Sequence, residues 1–140
     1  MESVVRNAKS NSPLNSIANT RSLFDGVGLA EPETVTIHDT INFRDNANGP
    51  FPDPQPFPLF GAQDVNQDDF AIFATGTIFI TDPGIYTFGF NSDDGGGFYI
   101  DDEPVVVFDA NRGSATSLAS VDLSFGAHKM EFLFWERGGG

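Results

Sequence analysis

The sequence predicts an all-β fold, an antiparallel β-sandwich with one short N-terminal helix, and three observations lead there. From residue 34 onward, short runs of alternating apolar and polar residues recur at regular intervals, with turn residues between them. Only one stretch, near the N-terminus, carries a helical period. The 140 residues include 15 Phe but no Cys, so aromatic packing rather than disulfides must hold the core. A chain of this length can bury a core as a single domain. We divide it into an N-terminal strand/helix segment, 1–33, and a β-sandwich, 34–140.

Taken in order, Ser12-Pro13 has the form of an N-cap followed by proline at the first helical position. Leu14, Ile17 and Ala18 then share one helical face, continued by Leu23 and Phe24, which predicts a helix over about 13–24. "TVTIHDTINF" (34–43) alternates as a half-buried strand. The prolines of "PFPDPQPFP" (50–58) remove donors and fix φ, so this run is expected outside the sheet interior, as a surface connection. "DFAIFATGTIFIT" (69–81) is a long strand with Gly76 expected at a bend or bulge. "DPG" (82–84) turns the chain into 85–92, where Tyr86, Phe88 and Phe90 fall on one face. The short strand 97–100, the turn "DDE" and the strand 104–108 follow. Strands at 117–124 and 129–136 flank the turn "FGAH".

Charge restricts function. Twenty acidic residues against seven basic ones give a formal net charge of −13. Nucleic acid as a partner is argued against, because its phosphates demand the opposite sign. Clustered carboxylates are instead hard oxygen ligands that attract divalent cations. No apolar run approaches the roughly 20 residues of a membrane span, so no membrane insertion is expected. "MESVVRNAKS" has no signal-peptide core, and a strand running into "ERGGG" at 136–140 suggests a piece cut from a longer chain.

Several motifs offer chemistry. "DVNQDDF" (64–70) places Asp64, Asn66 and Asp68 like the start of a helix-loop-helix calcium loop. That loop needs Gly sixth and Glu twelfth, where this chain has Asp69 and Thr75, so a solvated turn is expected. His38 and His128 are the only histidines, too few without Cys for a zinc site. No nucleophile elbow supports a Ser-His-Asp assembly. Glu131 and Glu136 have the residue types of a glycosidase pair, but sequence does not fix their separation.

"NSDDGGGFYIDDEP" (91–104) carries the most specific signal. On a regular strand Asp93 and Asp94 would point to opposite faces and could not grip one ion. Either the chain leaves the sheet here, as the following glycines permit, or the Asp93–Asp94 peptide is cis and turns both carboxylates to one side.

The run "GIYTFGFNSDDGGGFYIDDEPVV", followed by "VDLSFGAHKMEFLFWERGGG", resembles the protective-antigen domain family, shared by a bacterial toxin, yeast and bacterial adhesins and some glycosidases. Five elements occur in the family's order: Gly84, Tyr86 and Phe88; Ser92 to Gly95; Ile100 to Asp102; Leu123, Gly126 and His128; and Glu136 to Gly140. The resemblance covers roughly residues 69–140. It implies that Asp93 and Asp94, joined by a cis peptide, are primary ligands of calcium, with sugar hydroxyls completing the shell. The "ERGGG" loop would add side-chain or carbonyl oxygens from Glu136, Arg137, Gly138, Gly139 or Gly140; yeast adhesins carry an asparagine about where Glu136 or Arg137 stands. Gly95, Gly96 and Trp135 would flank the ligand, although strand parity, which sets Trp135 with Lys129 and Glu131 and opposite Met130, Phe132 and Phe134, favours packing in the core or at the sandwich rim. Asp101-Asp102 falls at a hairpin turn and is structural. The family also continues past this loop with a closing strand.

The resemblance therefore implies a calcium-dependent, glycan-binding module of a larger secreted or cell-surface protein, itself no enzyme. The alternative is a structural or protein-interaction module of the same fold.

Overall fold

In the computed structural model, which describes residues 2–45, 50–60 and 66–139, ten strands and one α-helix follow one another as β1 (Ser3–Lys9), α1 (Ile17–Phe24), β2 (Thr34–His38), β3 (Phe43–Arg44), β4 (Gln55–Pro56), β5 (Phe70–Ile80), β6 (Gly84–Ser92), β7 (Gly95–Ile100), β8 (Glu103–Phe108), β9 (Ala115–Leu123) and β10 (Gly126–Glu136). A 3₁₀ turn at Pro58–Phe60 precedes β5. Six strands form one antiparallel sheet in the order β2-β1-β5-β10-β7-β8, and β6 pairs with β9 in a second. β3 and β4 make a short parallel pair. Among the described residues no helix is long and apolar enough to cross a membrane.

Period-two alternation decides which side of the large sheet each residue serves. Ala71 and Phe73 of β5, with Leu133 and Trp135 of β10, meet Leu23 and Phe24 of α1. The intervening residues, Phe70, Ile72, Ala74 and Phe134, face the opposite way and join Val5, Phe57 and Phe43. Farther along, Ile80 and Ile100 meet Leu123 of β9, with Tyr86, Phe88 and Phe98 packed around them. Phe57 is the hub of the aromatic layer: it stacks on Phe134 at 5.6 Å and meets Phe70 edge-on at 4.5 Å. This corrects the reading of 50–58 as surface alone. Its prolines do stay out of the large sheet, yet Phe57 is a core residue, 7% exposed.

The helix starts one turn later than the Ser12-Pro13 signal predicts. Ser16 is the N-cap, its hydroxyl accepting the Asn19 N–H at 3.2 Å. In the preceding chain Asp69 Oδ1 takes the Leu14 N–H, and Asp109 Oδ1 takes the Ile17 N–H, a first-turn donor with no acceptor inside the helix. The segment 34–43 is two strands, not one, separated after His38. Gly76 makes no bulge; β5 runs in unbroken register with both neighbours. A Cβ there would stand 3.3 Å from both Glu2 O and Ser3 Oγ, so the glycine serves the close approach of β1. The one register shift among the named strand pairs falls between Phe98 and Tyr99, where β7 meets β8. β1, within the 1–33 segment, lies inside the large sheet between β2 and β5.

Candidate functional site

Asp93 and Asp94 are the two residues by which the chain crosses from the small sheet, at the end of β6, to the large one, at the start of β7. The peptide between them is cis. Asp94 N donates to Trp135 O at 3.1 Å, which continues the β7–β10 ladder one step past Gly95 and brings the pair beside the end of β10. Glu136, the last residue of β10, completes a group: carboxylate oxygens of Asp93, Asp94 and Glu136 all lie within 4.8 Å of one another.

Backbone donors from two loops orient these acids. Asp94 Oδ1 accepts the Arg112 N–H at 3.0 Å and Oδ2 the Arg137 N–H at 2.7 Å. Asp93 Oδ2 accepts the Ser114 N–H at 3.0 Å, and Glu136 Oε1 the Gly138 N–H at 2.7 Å. Among the described residues, Asp93 Oδ1 and Glu136 Oε2 accept no hydrogen bond from the protein, and both side chains line the same open cleft of about 660 Å³.

The crowding of like charges has an electrostatic signature. Burial, and then the charges of Asp94, Asp93 and Asp45, push the Glu136 carboxyl up to about 9 against the opposing Gly138 N–H. Burial and the neighbouring Asp94 also raise Asp93, countered by the Ser114 N–H and the Arg112 charge. Three acids so placed repel one another without a cation and form a hard-oxygen cluster with one.

The segment 109–114 was not singled out in the sequence, and it is the site's main support. Asp109 caps the Ile17 N–H at 2.6 Å, and Asn111 Oδ1 accepts the Trp135 indole N–H at 3.0 Å. Arg112 and Ser114 donate to the aspartate pair, and Ser114 Oγ also meets Asn91 Oδ1 at 2.9 Å. "DANRGS" reads only as a turn, because the groups it supplies to the carboxylates are backbone N–H groups, which no side-chain pattern marks.

Three expected ligand contacts are corrected. Trp135 is fully buried, enclosed by α1, Leu14, Leu133 and the backbone of Gly95, so it presents no face to a sugar. Gly95 and Gly96 are buried strand residues rather than part of a loop. A Cβ at Gly95 would fall into the Trp135 ring and 2.7 Å from Ala110 O, and one at Gly96 would fall 2.8 Å from Leu133 O, so these glycines permit close layering. Arg137 donates its backbone N–H to Asp94 Oδ2. Gly138 and Gly139 form the exposed turn beyond Glu136, Gly139 at φ 124°.

Elsewhere, Asp101 and Asp102 take φ of 51° and 70° in the β7–β8 hairpin, as their structural reading requires. Asp64 and Gly140 lie outside the described residues. Asn66 and Asp68 precede β5 and belong to no metal-competent group among those described. His38 hydrogen-bonds Thr36, and His128 binds Asp101 at the far end of the sandwich.

A sandwich whose inter-sheet crossing carries paired aspartates beside an acidic strand end defines a class of β-domain, and comparison with known proteins agrees. The PA14 domain family model matches residues 60–140, more than half of the chain, and the chain belongs to that family. No curated protein matches the sequence. Among solved structures, the PA14 domain of MpAFP antifreeze protein is similar over 98% of this chain and 76% of its own, with 22% identity and a TM-score of 0.75. The PA14 sugar-binding domain from an RTX adhesin matches 99% of this chain and 84% of its own at 17% identity, TM-score 0.73. The β-glucosidase from Kluyveromyces marxianus in complex with glucose matches 92% of this chain but only 14% of its own, at 19% identity and TM-score 0.53. At these identities the likeness is one of fold.

Proposed function

We propose that this chain is a calcium-dependent carbohydrate-binding module of a larger surface or secreted protein, and that it is not itself an enzyme. The observation that carries the reading is the grouping of Asp93, Asp94 and Glu136 oxygens within 4.8 Å. Calcium takes 6–8 oxygen ligands, so three carboxylates supply only part of its shell. Bound there, the ion would supply open positions for hydroxyl oxygens, and two adjacent sugar hydroxyls displace two waters at once. Likeness in fold to a sugar-binding domain of an RTX adhesin supports the ligand class. One sugar buries few atoms and displaces well-bonded waters, so single-site affinity is weak, about millimolar, and adhesion relies on many copies.

The test is a glycan array in calcium and in chelator, followed by competition with monosaccharides. Binding only in calcium, competed by vicinal diols but not by deoxy analogues lacking one hydroxyl, supports the proposal. Calcium-independent binding overturns it. A structural or interaction module is the second reading, favoured by the equally close fold of an antifreeze-protein domain.

A further inference from the structure

Arg112 approaches the aspartate pair twice, by its backbone and by its side chain. Its N–H donates to Asp94 Oδ1 at 3.0 Å. Its guanidinium then folds back: Nη2 donates to Ser92 Oγ at 2.9 Å and Nη1 to Ser117 Oγ at 2.8 Å. The Ser92 hydroxyl in turn donates to Asp94 O at 2.8 Å, from a buried position. The guanidinium carbon lies 4.1 Å from the Phe108 ring centroid and 5.7 Å from that of Phe90. Nε is buried without a hydrogen-bond partner among the described residues. A side chain held by two hydroxyls and two rings has little freedom, and it spans the end of β6, the start of β9 and the 109–114 segment.

We propose that Arg112 is a positioning residue of the ion site, which sets calcium affinity without touching the ion. This rests on the ion-binding reading above. The carboxylate of Asp94 is fixed through Oδ1 and the carbonyl through Ser92, so both ends of the residue are anchored to one arginine. Its charge sits near Asp93 and offsets part of the repulsion among the acids before a cation arrives. Lysine cannot replace it: an ammonium keeps the charge but lacks the planar fork that reaches two serines while stacked on an aromatic ring. Outer-shell contacts of this kind typically change metal affinity by 10–100-fold when removed.

The experiment compares wild type, R112K and S92A by calcium calorimetry and by europium luminescence lifetimes in H₂O and D₂O, well below every melting temperature. S92A makes the smaller change and guards against failure of R112K to fold. R112K is expected to bind calcium about 10-fold more weakly, S92A to shift in the same direction by less, and both to hold more water on bound europium. A purely structural arginine would lower the melting temperature without changing the water count. Wild type binding neither ion overturns the ion-binding reading itself. Wild type binding both, with R112K and S92A equal to it in affinity and hydration, overturns the role of Arg112 alone.

Discussion

Asp94 Oδ2 accepts the backbone N–H of Arg137 at 2.7 Å, which ties the residue after β10 to the crossing between the sheets. The same carboxylate is a proposed ligand, so neutralising it separates the two roles. D94N retains one oxygen acceptor and the side-chain shape while losing the charge. At about 100 times its dissociation constant, calcium should add about 2.7 kcal/mol to the wild type. D94N and D93N should lose that gain and remain folded in chelator. Urea denaturation with and without calcium measures it, and an undiminished gain in either variant would remove that aspartate from the site.

Glu136 is 3% exposed and crowded by Asp93 and Asp94, while its Oε1 accepts the Gly138 N–H. Gln keeps that acceptor and removes the repulsion. E136Q is therefore expected to raise stability in chelator at neutral pH, by about 1 kcal/mol or more, because a carboxyl pushed up to about 9 must take up a proton on folding and Gln need not, and to weaken calcium binding. Opposite signs in the two conditions distinguish a ligand from a merely buried acid. A variant destabilised in both would defeat the assignment.

Most of the sandwich was legible because alternation survives wherever one face is buried, as in Tyr86, Phe88 and Phe90. The aspartate pair was legible because the resemblance implies that both carboxylates hold one ion, which strand parity forbids unless the backbone is irregular there. What sequence hid was long-range. Asp69 binds the Leu14 N–H before the helix and Asp109 caps the Ile17 N–H at its start, acceptors 55 and 92 positions away. The expected strand began at Gly97, yet Gly95 and Gly96 already belong to it, the missing Cβ atoms of the three glycines answering to Trp135, Leu133 and Tyr99. Arg112 carried no signal, since its partners lie in three separate segments.

Gly95 and Trp135 form a matched pair across β7 and β10. A methyl at residue 95 meets the indole and the Ala110 carbonyl, neither of which can retreat cheaply. G95A should cost about 1–3 kcal/mol by overpacking, and W135A about 3–5 kcal/mol by leaving a cavity. In the double mutant the alanine methyl occupies part of that cavity, so the double mutant should lose less than the sum of the two single losses. Trp135 is the only tryptophan, and its emission should be insensitive to iodide and to added sugar. Full additivity would show that the two residues do not share one space.

At the other end of the sandwich, His128 Nδ1 lies 2.7 Å from Asp101 Oδ2 and Nε2 lies 2.9 Å from the Ser124 carbonyl. A carbonyl only accepts, so Nε2 is the donor there; an ionised Asp101 makes Nδ1 a donor as well, which is the imidazolium. The Asp101 hydrogen bond, then that to Ser124, raises the His128 pKa, and the same bond to His128, then the Lys129 N–H, lowers that of Asp101. Lys129, held by Asp102 and Glu131, is the adjacent cation; Glu103 and Asp122 are the further acids around this end. The raised histidine stabilises fully below its unfolded value of about 6.5 and loses that as pH rises through its folded value. The lowered aspartate stabilises fully above about 3.9 and loses that as pH falls through its folded value. The pair therefore contributes most between those limits. Melts of wild type, H128Q and D101N from acid to mildly alkaline pH should show the largest deficit of both variants in that window, shrinking on either side. A deficit constant with pH would mean the contact acts through packing and not through charge.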